Sequence, residues 1–217
     1  MVLLDRLKAR WLQIVVHVGA LLPLAWTIWQ YLQRSFLVDP IQEITTRTGK
    51  TALILLVLSL ACTPLNTLLG FKQVLRVRRA LGLYAFLYAS LHFATFVGLD
   101  YGFDLDLLAQ AIFDQRYVLV GFASGLILLA LAIISTRGWQ KRLGSTWKRL
   151  QRLVYLAAVL AIVHFAWLVK DIREPLRYGL VVAVLLVLRM PPVRKGASRA
   201  RRWLKARISR ASSPPLL

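Results

Sequence analysis

The chain has 217 residues, 58% of them hydrophobic and 18% charged, and its 29 Lys+Arg against 9 Asp+Glu give a formal net charge of +20. A soluble domain carries about 25% charged and about 45–50% apolar residues. The long apolar stretches seen here exclude a soluble enzyme and a disordered chain. The single cysteine, Cys62, excludes an intramolecular disulfide framework and any cysteine-ligated zinc or iron–sulfur site within the chain.

A helix needs about 20 mostly apolar residues to cross about 30 Å of hydrocarbon. In chain order, spans are predicted at about Trp11–Gln30, Thr51–Leu69, Ala80–Leu99, Tyr117–Ser135, Leu153–Val169 and Leu176–Met190, the last being the shortest. The first could in principle be a secretory signal. Its apolar run after Arg10 is long, rich in Trp and free of an A-x-A cleavage site, so a retained helix is expected. The expected fold is all-α: a polytopic membrane protein built as a six-transmembrane-helix bundle.

Lys and Arg set the orientation. Arg6, Lys8 and Arg10, the loop holding Lys72, Arg76, Arg78 and Arg79, the loop from Arg137 to Arg152, and the tail after Met190 would all share one side. Eight of the nine acids, all but Asp5, fall on the other. Both termini are therefore expected in the cytoplasm, with residues 1–190 forming the membrane domain and 191–217 a basic tail. Within the tail, Trp203, Leu204 and Ile208 are spaced among arginines, a pattern that suits contact with anionic membrane lipids. No nucleic-acid recognition module accompanies it.

Ionisable groups inside a membrane are costly and therefore informative. The cores of the six expected spans hold no Asp, Glu, Lys or Arg, which argues against ion-coupled transport; His17, His92 and His164 remain. His92 lies 13 residues after Arg79 and His164 lies 12 after Arg152, so both rings fall about 18–20 Å from the cytoplasmic edge. His17, seven residues past Arg10, is only about 10 Å in. Ala89 and Ala85 precede His92 at i−3 and i−7, as Ala161 and Ala157 precede His164. Each histidine thus stands beside a strip of small side chains on one helix face. A lone intramembrane histidine often just bonds a neighbouring helix, and alanine strips often serve packing. Agreement in depth, face and neighbours favours axial ligation of one haem iron by His92 and His164.

Without a C-x-x-C-H motif, a haem would be b-type. Its propionates need cationic partners, for which Arg78 and Arg79 are candidates on the inner side, and Arg116, Lys170 and Arg173 on the outer. His17 is open to three readings: a helix contact, a quinone ligand, or a second cofactor. Gly121 and Gly125 form a G-x-x-x-G that suggests close helix contact. There is no dinucleotide fingerprint, Walker loop or nucleophile elbow, so no catalytic residue is assigned.

Thr48-Gly49-Lys50-Thr51-Ala52-Leu53, Arg78-Arg79-Ala80-Leu81-Gly82-Leu83 with Leu91-His92, and Leu143-Gly144, Trp147, Leu150-Gln151 and Val154-Tyr155 leading to His164 together resemble the MsrQ (YedZ) family. These are haem-binding membrane subunits of the bacterial periplasmic methionine-sulfoxide reductase system, in the ferric-reductase-like transmembrane group. The resemblance implies an inner-membrane electron carrier that takes electrons from quinol. It passes them to a periplasmic molybdopterin-containing methionine-sulfoxide reductase subunit, which repairs oxidised proteins. It implies haem b, with His92 and His164 as ligands, and FMN. Many members have histidine where this chain has Gln151, a poor haem ligand, so a second haem would be left with His17 alone. The competing expectation, from a different class, is a non-redox membrane scaffold or small-molecule transporter, which would be colourless when purified.

Overall fold

The computed structural model describes residues 2–34, 36, 39–196, 199, 201 and 203, with side chains from residue 10 onward. Leu204 and Ile208 of the expected lipid-contact tail lie outside the described residues. All regular structure among the described residues is helical: α1 (Val2–Leu32), α2 (Pro40–Leu69), α3 (Val74–Thr95) ending in a π-helical turn (Phe96–Asp100), α4 (Leu105–Asp114), α5 (Arg116–Ile133), α6 (Arg137–Leu150), α7 (Leu153–Leu168) and α8 (Arg173–Val187). Among the described residues, four segments are long and apolar enough to cross a membrane: Arg10–Leu32, Pro40–Leu69, Val74–Asp100 and Arg116–Ile133. A fifth is formed by α6 and α7 if that pair, bent by 52°, counts as one. The helix matching the sixth expected span, α8, has 15 residues, short of the usual crossing length. The protein is an all-α polytopic membrane protein.

Two helices occupy stretches expected to be loops, and a third begins earlier than expected. The Asp104 carboxylate accepts from the N–H groups of Asp106 and Leu107 at 3.0 and 3.1 Å, starting α4. Thr136 starts the basic, amphipathic α6. Asp39 caps α2 by accepting from Ile41 and Gln42, and Pro40 supplies the pre-set first turn. The helix therefore begins well ahead of Thr51. It closes at Gly70, whose left-handed φ of 74° lets its N–H reach the Asn66 carbonyl.

Packing pairs α2 with α3 and α5 with α7, while α1 lies on α3 and α8 on α7. Small residues let the pairs close up: Ala85 and Ala157 are both fully buried (0% exposed). Leu56, Leu60, Tyr88 and Val182 fill the centre.

Beside both Pro64 and Pro23, a side chain from outside the helix bonds the helix backbone. Pro64 cannot donate to the Leu60 carbonyl, and Arg189 Nη2 does so instead. Beside Pro23, the Tyr88 hydroxyl accepts from the Leu24 N–H at 3.0 Å and donates to the Ala20 carbonyl at 2.6 Å. Those two groups bond each other directly in an unbroken helix. The phenol is thus inserted into the α1 ladder beside Pro23 and clasps α1 to α3. Tyr88→Phe is expected to lower stability by about 1–3 kcal/mol, read as an earlier thermal unfolding midpoint of the detergent-purified protein. An unchanged midpoint would mean the hydroxyl contributes nothing to holding α1.

Candidate functional site

His92 projects from α3 and His164 from α7 toward each other, with ring centroids 6.1 Å apart and planes at 82°. Each ring is tethered to backbone. His92 Nδ1 lies 2.8 Å from the Thr45 carbonyl on α2, and His164 Nδ1 lies 2.7 Å from the Tyr117 carbonyl on α5. A carbonyl only accepts, so both Nδ1 atoms carry hydrogen and both Nε2 atoms of the neutral rings keep a lone pair. Neither Nε2 has a hydrogen-bond partner among the described residues. Backbone tethering of one ring nitrogen is how proteins fix the tautomer and aim of a metal-ligating histidine.

The seats are two copies of one device. In each, 47 residues separate the carbonyl from its histidine. A glycine stands one turn beyond the carbonyl: Gly49 after Thr45, and Gly121 after Tyr117. A helical side chain covers the turn on its N-terminal side, so glycine leaves the carbonyl four residues back open to an imidazole. An added Cβ at Gly49 would come within 3.0 Å of His92 Nδ1, and one at Gly121 within 2.6 Å of His164 Nδ1. The Gly121 and Gly125 pair, read from sequence as a helix contact, therefore divides: Gly121 is the His164 seat, and a Cβ on Gly125 would meet nothing within 4 Å.

Both histidines line a cavity of about 990 Å³ with Gly49, Ala89, Phe93, Gly121, Ala161 and Phe165 among its walls. That is the upper end of the range of roughly 300–1,000 Å³ for small-molecule and cofactor sites. The donor set also fits a haem iron. A metal–imidazole nitrogen bond is about 2 Å and the nitrogen is about 1 Å from the ring centre, so two rings on opposite faces of one ion stand about 6 Å apart. The observed separation matches this.

The remaining expected residues stand elsewhere. Arg78 donates to the Thr63 hydroxyl (3.3 Å) and Arg79 to the Ser135 hydroxyl (3.1 Å), and neither lines the cavity. The basic residue in the cavity wall is Lys50, paired at 2.8 Å with Glu174, which also lines it. Sequence reasoning left Lys50 unassigned because it follows Gly49 in a stretch read as a loop. His17 is exposed on α1, with Nδ1 2.8 Å from the Tyr84 hydroxyl. Gln151, at the α6–α7 bend, directs its amide toward the Leu131 carbonyl at 3.5 Å.

The family model of the ferric reductase like transmembrane component matches residues 48–162, from the His92 seat to just short of His164. A relative from Xanthomonas axonopodis pv. citri (strain 306), named protein-methionine-sulfoxide reductase heme-binding subunit MsrQ, is 46% identical over 179 residues, 79% of this chain and 82% of the relative. The same-named protein of Xanthomonas oryzae pv. oryzae (strain MAFF 311018) is 42% identical over 210 residues, 93% of this chain and 92% of its own. That of Xanthomonas campestris pv. campestris (strain 8004) is 44% identical over 178 residues, covering 79% and 82%. With such identity along nearly its whole length, the chain belongs to the MsrQ family and, through it, to the ferric-reductase-like transmembrane group.

Proposed function

We propose that this protein is a haem b electron-transfer subunit of a protein-methionine-sulfoxide reductase system, with His92 and His164 as the axial ligands of one haem. The observation that carries the reading is the pair of backbone-tethered imidazoles, 6.1 Å apart, whose Nε2 atoms are left free beside a large apolar cavity. A bound haem would supply an iron that gains and loses one electron at a time. Held by two histidines, such an iron would suit electron relay and not substrate chemistry. The chain's own residues hold the ring planes, keep both Nε2 atoms unprotonated and exclude water with Phe93, Phe122 and Phe165.

In the same reading, residues 1–190 form six spans in the bacterial inner membrane, with both termini cytoplasmic, and 191–217 form a basic tail on the lipid surface. The distribution of Lys and Arg supports this orientation. The histidine level then falls in the outer half of the membrane, on the side of a periplasmic molybdopterin reductase that would receive the electrons, with quinol as their source. Arg78 and Arg79, held by hydroxyls at the opposite end of α3, serve the topology and not this haem. FMN is carried by the family resemblance, and flavin content is measurable in the same preparation as haem.

The detergent-purified protein is expected to show a low-spin haem b spectrum, oxidised and reduced, that is lost in His92→Ala and in His164→Ala. Wild-type protein that never carries haem would overturn the assignment. Gly121→Ala is expected to weaken haem retention by about 10–100-fold, the usual cost of disturbing a ligand's supporting contact. Gly49→Ala, whose Cβ meets its ring less closely, should be milder; pyridine haemochrome quantified per chain measures both. Equal retention in all three proteins would show that the glycines do not seat the rings.

A further inference from the structure

One polar pair at hydrocarbon depth faces outward from the bundle and is not used by the haem site. His17 on α1 and Tyr84 on α3 meet through Nδ1 and the phenol oxygen at 2.8 Å, with rings edge to face and centroids 5.5 Å apart. The histidine side of the pair is exposed. It is bordered on the same helix face by Ile14 and Leu21, which are also exposed, at i−3 and i+4. Nε2 has no hydrogen-bond partner among the described residues. An imidazole kept open to lipid beside a phenol is expensive unless something polar meets it there. What can reach that spot is a membrane-dissolved molecule with an apolar body and an oxygen that donates or accepts a hydrogen bond. Seven residues separate His17 from Arg10, about 10 Å of helix, which puts the ring below the level of lipid phosphates.

The pair is also coupled mechanically to the candidate haem site. Tyr84, Tyr88 and His92 follow one another at i, i+4 and i+8 on α3, so Tyr84 stands about 12 Å along the axis from His92. Between them, Tyr88 grips α1 at Ala20 and Leu24 and so holds His17 against Tyr84.

We propose that the His17–Tyr84 pair is the site where a hydroquinone of the membrane binds and is oxidised, an inference that rests on the reading above in which electrons enter from quinol. Both O–H bonds of the hydroquinone break and two C=O bonds form, releasing two protons and two electrons. His17 Nε2 accepts the first proton, and the second leaves to water at the near interface. The two electrons leave one at a time for a one-electron acceptor, a role that a haem iron held by His92 and His164 would fill, with the reductase partner as the terminal oxidant. Tyr84 holds the imidazole in place through Nδ1. The flanking Ile14 and Leu21 offer apolar surface to the isoprenoid tail.

The test uses full-length, haem-loaded protein in detergent, reduced by decylubiquinol or by dithionite and followed at the haem absorbance. In His17→Phe the spectrum and the dithionite end-point should stay as in wild type. The initial rate with decylubiquinol should fall by roughly 10²-fold, the usual contribution of a positioned proton acceptor, and Tyr84→Phe should fall less. Photolabelling of wild type by an azidoubiquinone should mark the peptide around residues 11–22, with or without haem, and be suppressed by excess decylubiquinone. A wild-type reduction rate in His17→Phe, or label confined to another helix, overturns this site and leaves the quinol reading standing. Haem-loaded wild type that dithionite reduces but decylubiquinol does not overturns the quinol reading, and the site with it.

Discussion

The arrangement depends on one contact made twice: an imidazole N–H donating to a helix carbonyl laid bare by a glycine one turn further on. A helical carbonyl already accepts from the N–H four residues ahead, but its second lone pair is free if no side chain covers it. Using that lone pair fixes the tautomer of each histidine without a second buried ionisable group, which a membrane interior would penalise. It also ties α2 to α3 and α5 to α7 at the same level as the facing rings. The pairing of helices and the aim of the rings are therefore set by the same bonds.

Much of this was legible in the residues and some was not. The depth and face of His92 and His164 follow from counting along helices of constant rise, and the structure brings the two rings together. Their seats were invisible because Thr45 and Gly49 lie in a polar stretch, Thr45-Thr46-Arg47-Thr48-Gly49-Lys50, that hydropathy reads as a loop. Only the Asp39 cap and Pro40 show that the helix has begun, and those signals precede the apolar run they serve. Gly121 was noticed only as a site of close helix contact, and it does lie against α7. Its spacing from Gly125 did not show that what meets it there is an imidazole, from a residue 43 positions away. The equal spacings of Gly49 from His92 and Gly121 from His164 were the available signal. Arg78 and Arg79 drew attention as charges, although the hydroxyls that hold them are set by tertiary packing.

Backbone satisfaction governs the rest of the bundle in the same way. In hydrocarbon no water repairs a broken helix ladder, so another donor must meet a carbonyl orphaned by an internal proline. Arg189 does this for Leu60, with its second arm on the Tyr155 hydroxyl at 2.5 Å and its guanidinium over the Tyr155 ring. On α1, Tyr88 bridges the rung next to Pro23, from the Leu24 N–H to the Ala20 carbonyl. Both are residues that hydropathy alone would place at an interface. They stand instead beside Pro64 and Pro23, each outside the helix that carries the proline it neighbours.

The repeated seat carries an argument about stoichiometry. Moving 72 residues along the chain takes Thr45 to Tyr117, Gly49 to Gly121, Ala85 to Ala157 and His92 to His164. The two helix pairs are thus matched halves around one level. Carried toward the other end of α3 and α7, the same shift takes Arg79 to Gln151. Those two side chains turn to neighbouring points near the end of α5, at Ser135 and Leu131. Neither a guanidinium nor an amide is a competent iron ligand, so the second level of the repeat lacks the donors that the first possesses. On the proposed reading, a single haem follows from which of the two levels carries histidine in both halves. His17, outside the repeat and facing lipid, is left free for a different task.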